Sequence, residues 1–210
     1  MIETQCKILD TAERLFGNQG YAGTSLRQII AEAGVNLAAI HYHFGSKEEL
    51  LDQLVVRKVG PVNAERVALL DRYEAEAGSA PVPLEKLLRA FLEPPMARVN
   101  ESPGFAKLMG RLYGEGLMPA IAEKHFHPLL GRFLAAFGRA LPRLSPQEIL
   151  ARLHFVVGAM AHTMLFVLQT RIPDQQISTD GAVLLRELVA FATAGLHAPA
   201  VLCENTQENR

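Results

Sequence analysis

Apolar residues recur at three- and four-residue intervals along almost the whole chain, and no run of alternating β-branched residues bounded by turns interrupts them. Ile8, Leu9, Ala12, Leu15 and Phe16 mark one face of a first helix, which Gly17-Asn18-Gln19-Gly20 stops. Thr24 and Ser25 offer caps for a short second helix that buries Leu26, Ile29, Ile30 and Ala33. Gly34 ends it at a position that tolerates a left-handed backbone. Asn36 then caps a third helix from Leu37 to about His43. Ser46 and Glu49 have capping-box spacing, and Glu48 and Glu49 suit the positive end of a helix dipole. The fourth helix runs through Leu50, Leu51, Leu54 and Val55, is expected to kink at Gly60-Pro61, and resumes to about Ala77.

Beyond the connection Gly78 to Pro83, the pattern predicts a helix from about Leu84 to Val99, interrupted near Pro94-Pro95. Others follow from about Gly104 to Gly114 and from Pro119 to Leu141. A long helix capped by Ser145, with Pro146 at its first position, runs to about Arg171, and a last one spans roughly Thr179 to His197. The expected fold is therefore all-α. A three-helix domain occupies 1–50, a connecting helix 51–77, a larger helical bundle 78–199, and a frayed polar tail 200–210.

Composition narrows the class without naming a partner. Of 210 residues, 49% are hydrophobic and 20% charged, an ordinary globular balance that excludes disorder and low-complexity scaffolds. Lys plus Arg is 21 against 22 for Asp plus Glu, so no global field points to nucleic acid or membrane. Cys6 and Cys203 lie at opposite ends with no CxxC, which leaves neither a disulfide framework nor a zinc knuckle. The acidic residues among the apolar ones at the N-terminus do not suit a signal peptide, and a cytoplasmic setting is expected. The uncharged run 153–170 is shorter than a membrane span needs and contains His154, His162 and Gln169; it reads as a buried or interfacial helix.

The segment Thr24 to Lys47, TSLRQIIAEAGVNLAAIHYHFGSK, carries the functional signal. Two short helices joined by Gly34-Val35-Asn36 have the spacing of a helix-turn-helix, at about 25–44. Ile40 and Phe44 would face inward with Ile29 and Ile30. Leu37, Ala38 and His41 would lie opposite, with Tyr42 beside them and small residues allowing close approach to base edges. The first fifty residues resemble the N-terminal domain of the TetR family of one-component regulators. The match runs through Ile8-Leu9-Asp10-Thr11-Ala12, Leu15-Phe16, Gly20-Tyr21, Thr24-Ser25-Leu26-Arg27, Ile30-Ala31, Ala33-Gly34-Val35, Tyr42-His43-Phe44 and Ser46-Lys47-Glu48. That resemblance implies an all-α homodimer, most simply a repressor, whose C-terminal half holds a small-molecule pocket and the dimer interface. Asn36-Leu37-Ala38-Ala39-Ile40, Leu144-Ser145-Pro146 and the stretch from Leu153 to Met164 are similar to its PsrA-like, fatty-acid-responsive branch.

Position within the motif, together with the resemblance, assigns Thr24, Arg27, Tyr42 and Lys47 to phosphates, with His43 as a further candidate. Leu37, Ala38 and His41 are assigned to bases. Ser25 and Asn36 supply caps and helix N-termini, and base contact is the sharper alternative for Asn36. Residues 1–50 hold four cations (Lys7, Arg14, Arg27, Lys47) against six carboxylates. Phosphate neutralisation is therefore scarce, a shallow salt dependence is expected, and a dimeric helical adaptor without DNA readout is the rival reading. Arg57, Lys58 and Arg66 on the fourth helix read as a solvated face.

No enzyme, cofactor or metal chemistry is indicated. No GxSxG occurs, and Gly110, Gly114 and Gly116 miss the phosphate-loop and dinucleotide spacings. The pairs His41/His43 and His125/His127 are two apart, where helical side chains diverge by about 200°. In the bundle, Leu153, Val157, Met160, Ala161, Met164, Leu184, Leu188 and Phe191 are expected to form the dimer interface. Met96, Met109, Leu112, Tyr113, Phe126, Phe155, His162 and Phe166 are expected to line a pocket for a small apolar effector, with Arg98, Arg111 and His125 as candidates to meet a carboxylate.

Overall fold

The computed structural model describes residues 2–169 and 180–199. Among them the chain forms helices without strands. The three short helices are α1 (Ile2–Gln19), α2 (Leu26–Ala33) and α3 (Leu37–His43). The connecting helix is α4 (Lys47–Ala77). The bundle comprises α5 (Leu84–Glu101), α6 (Pro103–Gly114), α7 (Met118–His125), α8 (His127–Ala140), α9 (Pro146–Gln169) and α10 (Gly181–His197). The ends expected at Thr179 and Arg171, the tail 200–210 and Cys203 lie outside the described residues; Cys6 is exposed and free. Among the described residues no helix is long and apolar enough to cross a membrane.

Local chemistry sets the helix ends. Ser25 caps α2 by accepting from the Gln28 N–H at 3.2 Å, and Gly34 closes it at φ 66° with its own N–H donating to the Ile30 carbonyl. The box expected at Ser46 is only half built: its hydroxyl accepts from Glu49 N–H, but its own N–H donates to the Phe44 carbonyl. The complete box stands at α9, where Ser145 Oγ accepts from Glu148 N–H at 3.2 Å and Glu148 Oε2 accepts from Ser145 N–H at 3.0 Å. Arg152 of α9 reaches α10 and donates to the carbonyls of Gly195, Leu196, Ala198 and Pro199, closing that helix's C-terminal end.

The prolines behave differently from the sequence-based expectation. α4 passes Gly60-Pro61 as one continuous helix, and α5 passes Pro94-Pro95 without interruption. Conversely, the single helix expected from Pro119 to Leu141 is two, α7 and α8, joined at Phe126. Pro128 sits in the first turn of α8, where its missing N–H costs nothing.

Packing divides into two apolar clusters. The first gathers Ile8, Leu15, Phe16, Ile29, Ile40, Phe44, Leu50, Leu54 and Val59, and is completed by Leu108 and Leu112 of α6 and Ile121 of α7. The second begins at Val62 and Leu70 of α4 and is built from α5, the start of α6, α8, α9 and α10 around Phe91, Phe133 and Phe137. The boundary therefore falls within α4, at Gly60-Pro61. The DNA-reading geometry expected of α3 depends on the turn at Gly34, where a Cβ would meet no neighbour but the positive φ would be strained. Gly34→Ala is expected to cost about 1–2 kcal/mol of unfolding free energy with the m-value unchanged in urea denaturation.

Candidate functional site

Ile40 and Phe44 are buried against Ile29, so α3 is pinned to α2 by one face. The other face is open. Ala38 and His41 are exposed, and Tyr42 is 74% exposed with its ring edge-on to His43, centroids 5.0 Å apart. Asn36 is exposed at the start of the helix. The side chain of Leu37 lies outside the described residues. Thr24 departs from expectation: it is 2% exposed, and its hydroxyl donates to the Gly20 carbonyl at 2.8 Å. It braces the turn from inside and does not present a hydroxyl to phosphate.

The charges around this face sort themselves. Lys7 pairs with Glu3, Arg14 with Glu32, Arg57 with Asp10 at 2.5 Å and Lys58 with Glu13 at 2.5 Å. Arg57 and Lys58 thus tie α4 to α1. Among the described residues, Arg27 and Lys47 are the cations of the first 58 positions outside any salt bridge, although Lys47 helps hold the neighbouring Glu48 carboxyl below its ordinary value. Lys47 Nζ lies 4.1 Å from the Tyr21 ring centroid. Burial, with a hydrogen bond to Glu48, pushes the Tyr21 phenol up to about 12, so it stays neutral and donates to Glu48 Oε1 at 3.1 Å.

The helix-turn-helix is clamped from the bundle. Glu115, just past α6, accepts from the Tyr21 N–H and the Ala22 N–H, each at 3.0 Å. A Cβ on Gly20 would push the Glu115 carboxylate aside, and Gly20 is at φ 81°. Glycine meets both demands without strain. Arg111 donates to the Asn18 carbonyl nearby. His125 lies 2.7 Å from Asp52 Oδ1, and Lys124 2.9 Å from the same oxygen, joining α7 to α4.

A cavity of about 240 Å³ lies between α4, α5, α6, α7, α8 and α9. Of the expected pocket residues it is lined by Met109, Tyr113 and Phe126. Met96 and Leu112 are core. Phe155 is 70% exposed on the outer side of α9, and His162 is also exposed. The Phe166 side chain lies outside the described residues. The three proposed carboxylate partners are elsewhere: Arg98 pairs with Glu65 and Glu101 at the surface, and Arg111 and His125 serve the contacts above. The cation in the wall is Arg66, read from sequence as solvated but 4% exposed. Its signal was weak: one arginine on a helix whose other cations face solvent or partners.

Several expected interface residues are likewise turned inward. Leu153, Met164 and Leu188 are buried within the chain, and Val157, Met160 and Leu184 pack against the same core. The stripe was too broad because α9 and α10 each bury most of it against α5, α6 or one another. Ala161 lines the cavity. Among the described residues, the large apolar side chains left outside on these helices are Leu150, Phe155 and Phe191, the last 67% exposed.

Comparisons with known proteins agree with this arrangement. Residues 8–54 match the family model for bacterial regulatory proteins of the tetR family. Residues 89–195 match that for the tetracyclin repressor-like C-terminal domain. The chain is similar to the HTH-type transcriptional regulator LmrA of Bacillus subtilis (strain 168), 52% identical over 50 residues, 23% of this chain and 27% of LmrA. It is also similar to AcrR of Shigella flexneri, 46% identical over 52 residues, 25% of this chain and 24% of AcrR. These matches span about a quarter of the length of those relatives. Among solved structures, a TetR-like transcriptional regulator from Rhodococcus sp. RHA1 superposes with a TM-score of 0.64 at 21% identity, covering 93% of this chain and 97% of that one. A Clostridium perfringens protein provisionally named a fatty acid metabolism regulator gives 0.58 at 18% identity, covering 90% and 97%. At such identities the likeness is one of fold.

The Asp52 contact makes a pH prediction. Burial alone would raise this carboxyl, but hydrogen bonds from Lys124 and His125 outweigh it and hold it below its ordinary value. Its stabilising contribution is present above the unfolded-state pKa, near 4, and is lost as pH falls through the depressed folded value. Asp52→Asn should cost about 1 kcal/mol near neutrality, a difference that vanishes in the acid limb of a pH series of urea denaturations.

Proposed function

The chain belongs to the TetR family of transcriptional regulators, and we propose that it acts as a homodimeric, DNA-binding repressor relieved by a small apolar effector. The observation that carries the DNA reading is the sorting of charge around α3. Four nearby cations are spent on carboxylates, whereas Arg27 and Lys47 enter no salt bridge beside an α3 face that exposes Ala38, His41 and Tyr42. Arg27, Tyr42, Lys47 and His43 are assigned to phosphates, and Ala38, His41 and the Leu37 position to bases. Ser25 and Asn36 present helix N-termini to the backbone. The outward faces of α9 and α10, with Phe155 and Phe191, are assigned to the dimer. Two recognition helices would then meet half-sites of a near-palindrome centred about 34 Å apart, or a multiple of that.

With two cations per protomer outside salt bridges, four per dimer, log K against log salt should fall with a slope of only about −4. His41→Ala is expected to cost roughly 1–3 kcal/mol at the cognate base pairs and to relax specificity there. Lys47→Ala should weaken cognate and random duplexes alike and lower the slope by about one unit per half-site. Salt-titrated fluorescence anisotropy measures both. Equal loss on cognate and random DNA for His41→Ala would remove it from the bases. No duplex binding by a stable dimer would favour the adaptor reading.

For the effector, the cavity and the similarity in fold to a protein provisionally named a fatty acid metabolism regulator support an acyl-like molecule. Such a ligand must bind the non-DNA-binding arrangement better than the DNA-binding one, because equal affinity shifts nothing. The element proposed to hold the two arrangements is α4 at Gly60-Pro61, where the helix lacks one backbone donor and passes from one cluster to the other. A coupling of about 1–3 kcal/mol would lower operator affinity by about 5–150-fold. Operator binding is expected to weaken with long-chain fatty acids or acyl-CoAs and to withstand a panel of aromatic compounds; release by aromatics alone would overturn the acyl assignment and leave the regulator intact.

A further inference from the structure

Among the described residues, Arg66 is the charged side chain that is buried, and no carboxylate pairs with it. Its Nε donates to the Phe91 carbonyl at 2.8 Å and its Nη1 to Asn63 Oδ1 at 3.2 Å. Its guanidinium carbon lies 4.6 Å from the Phe91 ring centroid and 6.0 Å from that of Phe126. Neither bond uses Nη2. Burial drags the guanidinium down to about 10, still well above neutrality, so the charge and its desolvation cost are both present at physiological pH.

One of these bonds has a clear structural cause. Pro95 cannot donate to the Phe91 carbonyl four residues earlier, so α5 carries an orphaned acceptor there, and Arg66 satisfies it. A neutral donor would serve that purpose without burying a charge. A full guanidinium paired with no carboxylate, in the wall of a cavity otherwise lined mainly by Val62, Met109, Phe126, Val157 and Met160, is poorly explained by capping alone. An anion would complete it. The fork of a single guanidinium matches the two oxygens of a carboxylate, and the other polar groups in the wall, Tyr113 and His154, are exposed.

We propose that Arg66 is the anion anchor of the cavity, and that its ligand is an apolar molecule ending in one carboxylate, with the head at Arg66 and the tail along Val157 and Met160. This rests on the effector reading above and narrows it to the free acid over its esters or alcohols. The anchor stands on α4, the helix whose N-terminus begins at the helix-turn-helix, so head-group binding acts on the element that joins the two halves.

Calorimetric titration of the full-length dimer at neutral pH with decanoate, decanol and methyl decanoate tests this. Decanoate is expected to bind at least tenfold tighter than the other two. Arg66→Gln, which keeps a neutral donor for the Phe91 carbonyl, should reduce that preference to less than twofold by weakening decanoate and sparing decanol. The wild-type comparison does not depend on any variant folding: equal affinity for acid, ester and alcohol overturns the anchor while leaving the effector cavity in place. A tenfold acid preference that survives Arg66→Gln also overturns it. If none of the three binds, the effector reading falls as well.

Discussion

The 31-residue helix α4 belongs to both apolar clusters at once, and the arrangement of the rest depends on it. Leu50, Leu54 and Val59 pack with the helix-turn-helix, while Val62 and Leu70 pack with the bundle. A helix keeps its backbone bonds within itself, so it can leave one core and enter the next without an irregular segment. α6 and α7 reinforce the join: Leu108, Leu112 and Ile121 complete the first core, and Glu115 takes two backbone N–H groups of the loop before α2. Nothing isolates the reading head from the cavity. Val59 and Val62, in different clusters, both line it.

Backbone accounting at the prolines explains where the cavity gets its chemistry. Pro94 and Pro95 remove two donors from α5 without breaking it, because the helix is held by burial of Leu88, Phe91 and Leu92 before them and Met96 after them. The acceptor freed at Phe91 draws a guanidinium across from α4. Pro128 does the opposite and opens a new helix, which sets Phe126 at a junction whose ring reaches the cavity wall. Two similar sequence features thus have opposite outcomes, decided by what packs around them.

Electrostatics is equally a matter of pairing. The first fifty residues carry more carboxylates than cations, an unpromising balance for a duplex-binding surface. In the fold, acids and bases cancel along α1 and its contacts with α2 and α4. What remains outside salt bridges beside α3 is Arg27 and Lys47 with Glu48 and Glu49 of the first turn of α4, and α3 itself offers apolar and imidazole groups. Local field, not net charge, is what a polyanion meets.

Features set by short-range rules were legible from the residues alone. The helix ends at Ser25, Gly34 and Ser145 follow from cap chemistry within a few residues, and the inward turn of Ile40 and Phe44 follows from helical period. Those terms depend on neighbours in sequence. Where a side chain faced two plausible destinations, only the tertiary structure decided. Leu153, Met164 and Leu188 could equally have served a core or an interface, and Thr24 a phosphate or a turn. Arg66 is the sharpest case. Its four-residue spacing from Val62 and Leu70 puts it on their face, but nothing local reveals what closes over it. Its burial depends on an orphaned carbonyl 25 residues away, and its lack of a carboxylate is a property of every element packed around it. The sequence determines helices and caps by itself because their energies are local; cavity, interface and buried charge are decided by long-range packing, which no window of residues contains.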